Sequence, residues 1–575
     1  MAARRDRSSV HAALAATLLF LGLALFGARY HWVEEAGTAE RDGYVAQAER
    51  LLAGELPKDP FRPPLYPLLV AGLARATGDP FAAARLISNL AAALLAWIAW
   101  RTGRELGGTK PTADLVGAWA FAVTAVNPNL WILGQHATTD MAFGALAAGA
   151  LLAGLIYRNR PGARPAWAAG ALLGAAALTR GNAIFLVPGL LLAFLLAGKP
   201  FGPRVRHLLY AGLAALPGYA ALWAWRFAAF GDPFHDENWK NVAWKLFGYP
   251  DWSYLDRVPF HGLGEIARAD PLGILQGGVS EIWRFAESGL AQLTGTPVHA
   301  ALFVAGALWL LGRKDRGAAW LLGAGFLFLA AVAFSFFAWG RLLLCLLPAL
   351  GAIPCAALFS MAVGASPPSC PSPTRGEGTP AGGLPIRTTK TYRRRWFSSS
   401  PLVGEDRGGG GPSASGAQAS RAEASSAPSA AMSNSRGKLA LGVAALLVLT
   451  LGGKTAFRRL PAFVERHPYL EVATLRRIEG RLPPGTRLGG TSPFLGRYLL
   501  HPYIAIPDAF GPELGEPRLY LDRLERFVRT ERISYLALGE LDLRDRPRAL
   551  LGPAPPAPWL VPVERKPGIA VWRVR

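Results

Sequence analysis

Cysteine is nearly absent from this chain, and carboxylates are scarce. Three cysteines stand at positions 345, 355 and 370 of 575 residues. Their spacing fits no metal-ligand pattern and implies no disulfide framework. Cys345 and Cys355 lie inside an apolar run, where a thiol acts as a small buried hydrophobe. The 39 acidic residues face 61 Lys and Arg, for a net charge of +22. Such a surplus raises the question of nucleic acid, but the basic residues are not gathered on a soluble module. They fall between apolar runs, as the positive-inside rule expects of a membrane protein. No clear internal repeat is present, although many transporters are built from repeated halves.

Apolar residues are plentiful, at 51% of the chain. A helix needs roughly 20 of them in a row to cross the hydrocarbon. Eleven candidate runs are present: 10–28, 80–100, 113–127, 138–157, 166–180, 182–198, 207–229, 297–312, 318–338, 341–363 and 438–453. The first follows MAARRDR without a clear small-residue cleavage site, so it reads as a retained helix. The connections 101–112, 158–165, 199–206 and 313–316 each carry three Lys or Arg, whereas 127–137 carries none. This asymmetry predicts a multi-pass protein of the inner (plasma) membrane, N-terminus in the cytoplasm and C-terminus outside. Loops 29–79 and 230–296 then face outward, where ATP and nucleotide sugars are not available.

The expected organisation is a membrane domain over 1–363, a linker over 364–437, a last span over 438–453 and a small domain over 454–575. The linker is rich in Ser, Pro, Gly and Arg and lacks hydrophobic period, which predicts cytoplasmic disorder. Its segments PSPTRGEG and SSPLVGEDRGGGG resemble a translated inverted repeat. In the tail, YLDRLERFVR (520–529) sets Leu521, Leu524 and Val528 on one helical face. ISYLAL (533–538) and IAVWRV (569–574) read as strands. The fold class is therefore an α-helical polytopic membrane protein of about 11 spans with a small extracytoplasmic α/β C-terminal domain.

The first outer loop contains ERDGYVAQAERLLAGELPKDPFRPPLYPLL (40–69). Tyr44, Ala48, Leu51 and Leu52 share a helical face, which predicts a helix lying in the interface with its apolar side down. Arg62 precedes Pro63 and Pro64, which force extended backbone. LYPLLVAGLARATG then offers a helix too short to span, re-entrant or interfacial.

This acid, amphipathic helix and RPPLYPLL, in that order, resemble the GT-C membrane glycosyltransferases. Within them the likeness is to the protein O-mannosyltransferase and aminoarabinose–lipid A transferase superfamily. NPNLWILGQHATTDMAF (127–143) resembles that family's turn between the third and fourth spans, with an acid opening the fourth. GALLGAAALTRGNAIFLVPGLLLAFLL (170–196), RFAAFGDPFH (226–235) and WGRLLLCLLPALGAI (339–353) resemble three further segments of it. The likeness covers residues 1–363 and, loosely, the tail.

The resemblance implies an inverting transfer of a sugar from a polyprenyl phosphate to a glycan, lipid or protein acceptor on the outer face. The partners are thus that donor lipid, the acceptor and the membrane, with no nucleic acid. Charge grows on the leaving phosphate, and the acceptor hydroxyl needs a base. Asp42 matches the acid of the family's first loop and is the base candidate. Asp140 opens the fourth span. It is either a helix-terminus partner or a catalytic acid that orients the acceptor or, with Asp42, holds a divalent ion. Arg62, Arg341 and Arg180 are candidates for the donor phosphate. Their plainer roles are headgroup anchoring, snorkelling and turn capping respectively. Tyr44, Tyr66 and His136 are candidates for contact with sugar or acceptor. The loop aromatics Trp239, Trp244, Phe247, Tyr249 and Trp252 either stack on sugar or form an interfacial belt. No cofactor is assigned; a divalent metal stays open, since two carboxylates are too few ligands without water and phosphate. The alternative class is a transporter or a non-catalytic polyprenyl-lipid-binding protein. A transporter would set its ionisable groups near the midplane, but here they gather near the outer ends of spans.

Overall fold

A computed structural model describes residues 7–29, 43–59, 61–108, 112–247, 260–338, 340–363, 427–460, 477–490, 501–506, 517–539, 557–566 and 569–575. Asp42, Tyr249, Trp252 and residues 364–426 of the expected linker lie outside the described residues. The rest of that expectation changes: a helix begins at Ala427, inside the stretch read as linker.

Helix α1 covers Arg7–Arg29, and the first outer loop supplies α2 (Tyr44–Leu52) and α3 (Leu65–Thr77). The bundle continues through α4 (Pro80–Leu106), α5 (Thr112–Ala125), α6 (Pro128–Gly134), α7 (Thr139–Asn159) and α8 (Ala163–Thr179). A 3-10 turn (Gly181–Leu186) leads into α9 (Val187–Leu195), then α10 (Phe201–Phe230). The second outer loop holds α11 (Lys240–Phe247), α12 (Leu263–Ala269), α13 (Pro271–Arg284) and α14 (Leu290–Thr294). After it come α15 (Pro297–Gly312), α16 (Arg316–Ser335), a 3-10 turn (Gly340–Leu346), α17 (Leu347–Val363) and α18 (Ala427–Lys454).

All eleven apolar runs lie in helices, but they are not eleven equal spans. Among the described residues seven helices are long and apolar enough to cross a membrane, and up to nine if each of two bent pairs counts as one. One pair, α5 with α6, bends by 56°. The break at Arg180 divides the apolar stretch 163–195 into two short helices, so α8 and α9 fall below that length.

The bundle has two chemically distinct ends. At one, Arg104 pairs with Asp114 at 2.8 Å, Ser8 donates to Asp114 at 3.1 Å and Arg160 donates to Glu105 at 2.6 Å. These are residues of the N-terminus and of two basic connections, brought together as the charge asymmetry expects. Asp140 and Asn159 stand at opposite ends of α7, whose 21 residues rise about 30 Å at 1.5 Å each.

Small residues let α8 and α10 approach closely, as they do wherever membrane helices associate without a hydrophobic driving force. A methyl group on Gly170 would sit 1.9 Å from the Ala211 carbonyl oxygen, and one on Gly174 2.7 Å from that of Ala215. Gly218 meets Gly174 backbone in turn, where an added carbon would lie at 2.4 Å. The segment GALLG in α8 is thus a contact stripe, and α8 ends one residue before Arg180.

In the tail, strands β1 (Leu488–Gly490) and β2 (Tyr503–Ala505) precede α19 (Pro517–Thr530), then β3 (Tyr535–Gly539), β4 (Leu560–Lys566) and β5 (Ile569–Val574). The sheet order is β2-β1-β3-β5-β4, parallel across the first three and antiparallel across the last. Leu524 and Val528 of α19 are buried with Leu536 and Trp572, as the helical spacing predicted.

Gly170→Val should prevent assembly of the bundle, because the added carbons collide with backbone. Gly212→Val is the control, since nothing lies within 4 Å of a side chain there. Size-exclusion profiles and melting curves of the two purified variants should show loss of the folded species for the first only, well beyond the ~1–3 kcal/mol of ordinary overpacking.

Candidate active site

Two arginines reach the candidate site on a shared local pattern. Arg180 caps α8, and the 3-10 turn that follows runs into Val187 and Pro188. Arg341 lies in the other 3-10 turn, which runs into Leu347 and Pro348. Proline has no N–H to give to the carbonyl four residues back, so the chain is poorly suited to an unbroken α-helix there. The tighter turn accommodates the break and leaves each arginine at a helix end.

Both arginines converge on Asp140. Arg180 Nη1 pairs with Asp140 Oδ1, and Arg341 Nη1 stands 3.7 Å from Oδ2. Thr138 Oγ1 donates to Oδ2 at 3.0 Å. The carboxylate is 1% exposed. It also lies in the first turn of α7, where the helix dipole favours negative charge. Both oxygens are engaged, which does not leave Asp140 placed as a free base.

A second set of contacts ties the first outer loop to this point. Thr139, beside Asp140, donates its hydroxyl to Tyr44 OH at 2.9 Å. The Tyr44 ring meets Tyr66 edge to face at 5.5 Å, and the Arg62 guanidinium lies 5.7 Å from its centre. Tyr44, Val45 and Ala48 are buried in the protein core while Leu52 is exposed, so the expected interfacial face of α2 packs on the bundle instead. Gly43, at φ +69°, takes the left-handed conformation just before Tyr44 and directly after Asp42.

Tyr66 is fully buried, with its hydroxyl on Ala84 O at 3.0 Å and against Ser88 at 3.2 Å. It is a packing residue and presents no surface to a sugar. His136 joins through its backbone, its carbonyl accepting from Ser88 Oγ at 2.7 Å.

Arg62 carries a partner that the sequence reading missed. Asp59 pairs with its guanidinium, and Gln47 donates to the same carboxylate at 3.0 Å. Asp59 Oδ1 also accepts from the backbone N–H of Phe61 at 2.9 Å and of Arg62 at 3.1 Å. This is an Asx turn, and the Asp-Pro pair at 59–60 was its sequence signal.

The second outer loop leans on the same region. Lys240 lies 6.0 Å from the centre of the Phe61 ring and pairs with Glu237 at 2.7 Å. Asp236 bridges Arg226 at 3.2 Å and the Asn238 amide at 2.7 Å. That amide in turn stands against Gly181, next to Arg180. Trp244 packs on Phe336 and Phe337 and Phe247 stacks on Phe260, so these two loop aromatics serve packing. Among the described residues no three His, Cys, Asp or Glu side chains gather as a metal-ligand set.

The family model for dolichyl-phosphate-mannose-protein mannosyltransferase matches residues 61–225, less than a third of the chain. Among solved structures, the fold is similar to that of ArnT from Cupriavidus metallidurans. The likeness to its undecaprenyl phosphate complex has a TM-score of 0.51 at 14% identity, covering 97% of each chain. To its apo state it has a TM-score of 0.50 at 15% identity, covering 98% of each. No curated protein matches the sequence. The GT-C resemblance carried by the motifs is thus found again in a family match and in the whole fold.

Proposed function

We propose that the protein is an inverting membrane glycosyltransferase that takes a sugar from a polyprenyl phosphate on the outer face of the membrane. The observation that carries this reading is the convergence of Arg180 and Arg341 on one buried carboxylate, beside Tyr44 of the first outer loop. Among the described residues two guanidinium groups meet at this carboxylate, a pairing suited to bind a donor phosphate beside it.

In the proposed reaction the acceptor oxygen attacks the anomeric carbon as the carbon–oxygen bond to phosphate breaks. The configuration inverts. The acceptor's proton passes to the Asp42 carboxylate, which lies two residues before Tyr44. The polyprenyl phosphate leaves with the electron pair, and its growing charge is met by Arg341, Arg180 and Arg62. Asp140 acts as a positioning residue that holds two of these cations, and Asp59 does the same for Arg62. Tyr44 and His136 border the acceptor side, while Tyr66 supports Tyr44 from behind. The acceptor is a hydroxyl-bearing glycan, lipid or protein.

The orientation is inside for the N-terminus and outside for the C-terminus, on the strength of the four basic connections. Reporters fused after Arg316 and after Arg575 should read cytoplasm and exterior; the same side for both would contradict it. For the chemistry, Asp42→Asn should lower turnover by roughly 10²–10⁴-fold, the usual worth of a general base, with donor binding little changed. Arg62→Ala should weaken donor binding and also slow the chemistry. Purified protein with a labelled polyprenyl-phosphate sugar measures both. Wild-type turnover in Asp42→Asn would remove Asp42 from the mechanism.

A further inference from the structure

The segment between α16 and Arg341 is held from above by two charged side chains of the second outer loop. Helix α16 ends at Ser335, so the Ala333 carbonyl is among the last four that a helix leaves without an internal partner. Lys245 Nζ of α11 donates to it. Five residues on, the Ala338 N–H donates to Glu281 Oε2 of α13 at 3.1 Å. Glu281 is buried, and its other oxygen pairs with Arg284. Between these two points Phe336 and Phe337 pack on Trp244. Helix α13 comes close enough that a side-chain carbon on Gly278 would lie 2.5 Å from the Phe334 ring. Burial lowers the Lys245 pKa, and the Glu281 charge opposes that shift.

The described hydrogen bonds of Lys245 and Glu281 go to the segment before Arg341 and to Arg284. The position of this clamp in the chain gives it a purpose: Ala338 lies three residues before Arg341, which stands at Asp140. A buried carboxylate spent on a backbone N–H fixes a segment, because removing the acceptor would strand a desolvated donor.

We propose that Glu281 and Lys245 are positioning residues that set the placement of Arg341, so that the second outer loop controls affinity for the donor phosphate. This rests on the glycosyltransferase reading above. The mechanism needs the carboxylate's reach and acceptor oxygen more than its charge. Glu281→Gln keeps an oxygen at the same reach, whereas Glu281→Asp keeps the charge and withdraws it by one methylene. A carboxylate needed only to balance Arg284 and Lys245 would give the opposite ranking.

The test is binding of undecaprenyl phosphate to the purified full-length protein, with donor KM and kcat read alongside. Glu281→Asp should weaken binding and raise KM by about tenfold, the lower end of what a hydrogen bond to a charged group contributes. Its kcat should fall as well, because Arg341 meets charge that grows in the transition state, and Glu281→Gln should stay within about threefold of wild type on all three readouts. If Glu281→Asp does not fold, Lys245→Met reports from the other end of the segment and should show the same rise in KM. Wild-type binding by Glu281→Asp, or by Lys245→Met in its place, with loss of binding in Arg341→Ala, overturns the positioning role and leaves the enzyme reading standing. A greater loss in Glu281→Gln than in Glu281→Asp overturns it as well. A wild-type protein that neither binds the probe nor turns over removes the enzyme reading itself.

Discussion

A carboxylate cannot be buried in a membrane bundle unless its charge is met, and Asp140 is met twice. Moving one ion out of water costs several kcal/mol even after relaxation, so Asp140 requires its arginines as much as they require it. That mutual need fixes three pieces of chain: the start of α7 and the two turns that carry Arg180 and Arg341. Among the described residues the cluster holds Asp140 with Arg180 and Arg341. The cluster sits at one end of the bundle, in the first turn of α7.

Packing elsewhere serves this arrangement. α8 approaches α10 closely through Gly170, Gly174 and Gly218, and Arg180 is the residue after its last turn. Among the described residues the hydroxyl pair of Thr139 and Tyr44 joins the first outer loop to the cluster, and Arg62 lies against the same ring. The second outer loop touches both arginine turns, through Asn238 at Gly181 and through Glu281 at Ala338.

The sequence made much of the frame legible. Apolar runs located the helices because length and hydropathy are local properties. The basic connections predicted which ends share a side, and the Arg160–Glu105 pair joins two such connections. Asp140, Arg180 and Arg341 stood out because charge is rare in apolar sequence. Their pairing was not legible, since residues 40 and 201 positions apart along the chain meet only through tertiary packing. The buried face of α2 was misassigned for a similar reason: periodicity tells which residues share a side, not whether lipid or protein covers it. Asp59 was a different kind of miss, because its Asx turn is written locally. The strands β1 and β2, three residues each, gave too little pattern to be seen.

The dependence of the fold on the Asp140 cluster is open to direct measurement by unfolding the purified protein. Asp140→Ala should destabilise it by about 3–5 kcal/mol, the cost of stranding buried charge. The triple replacement Asp140→Leu, Arg180→Met, Arg341→Met should recover most of that loss while leaving no binding of undecaprenyl phosphate. An Asp140→Ala protein as stable as wild type, or a triple variant that still binds the lipid phosphate, would contradict the central place given to this cluster.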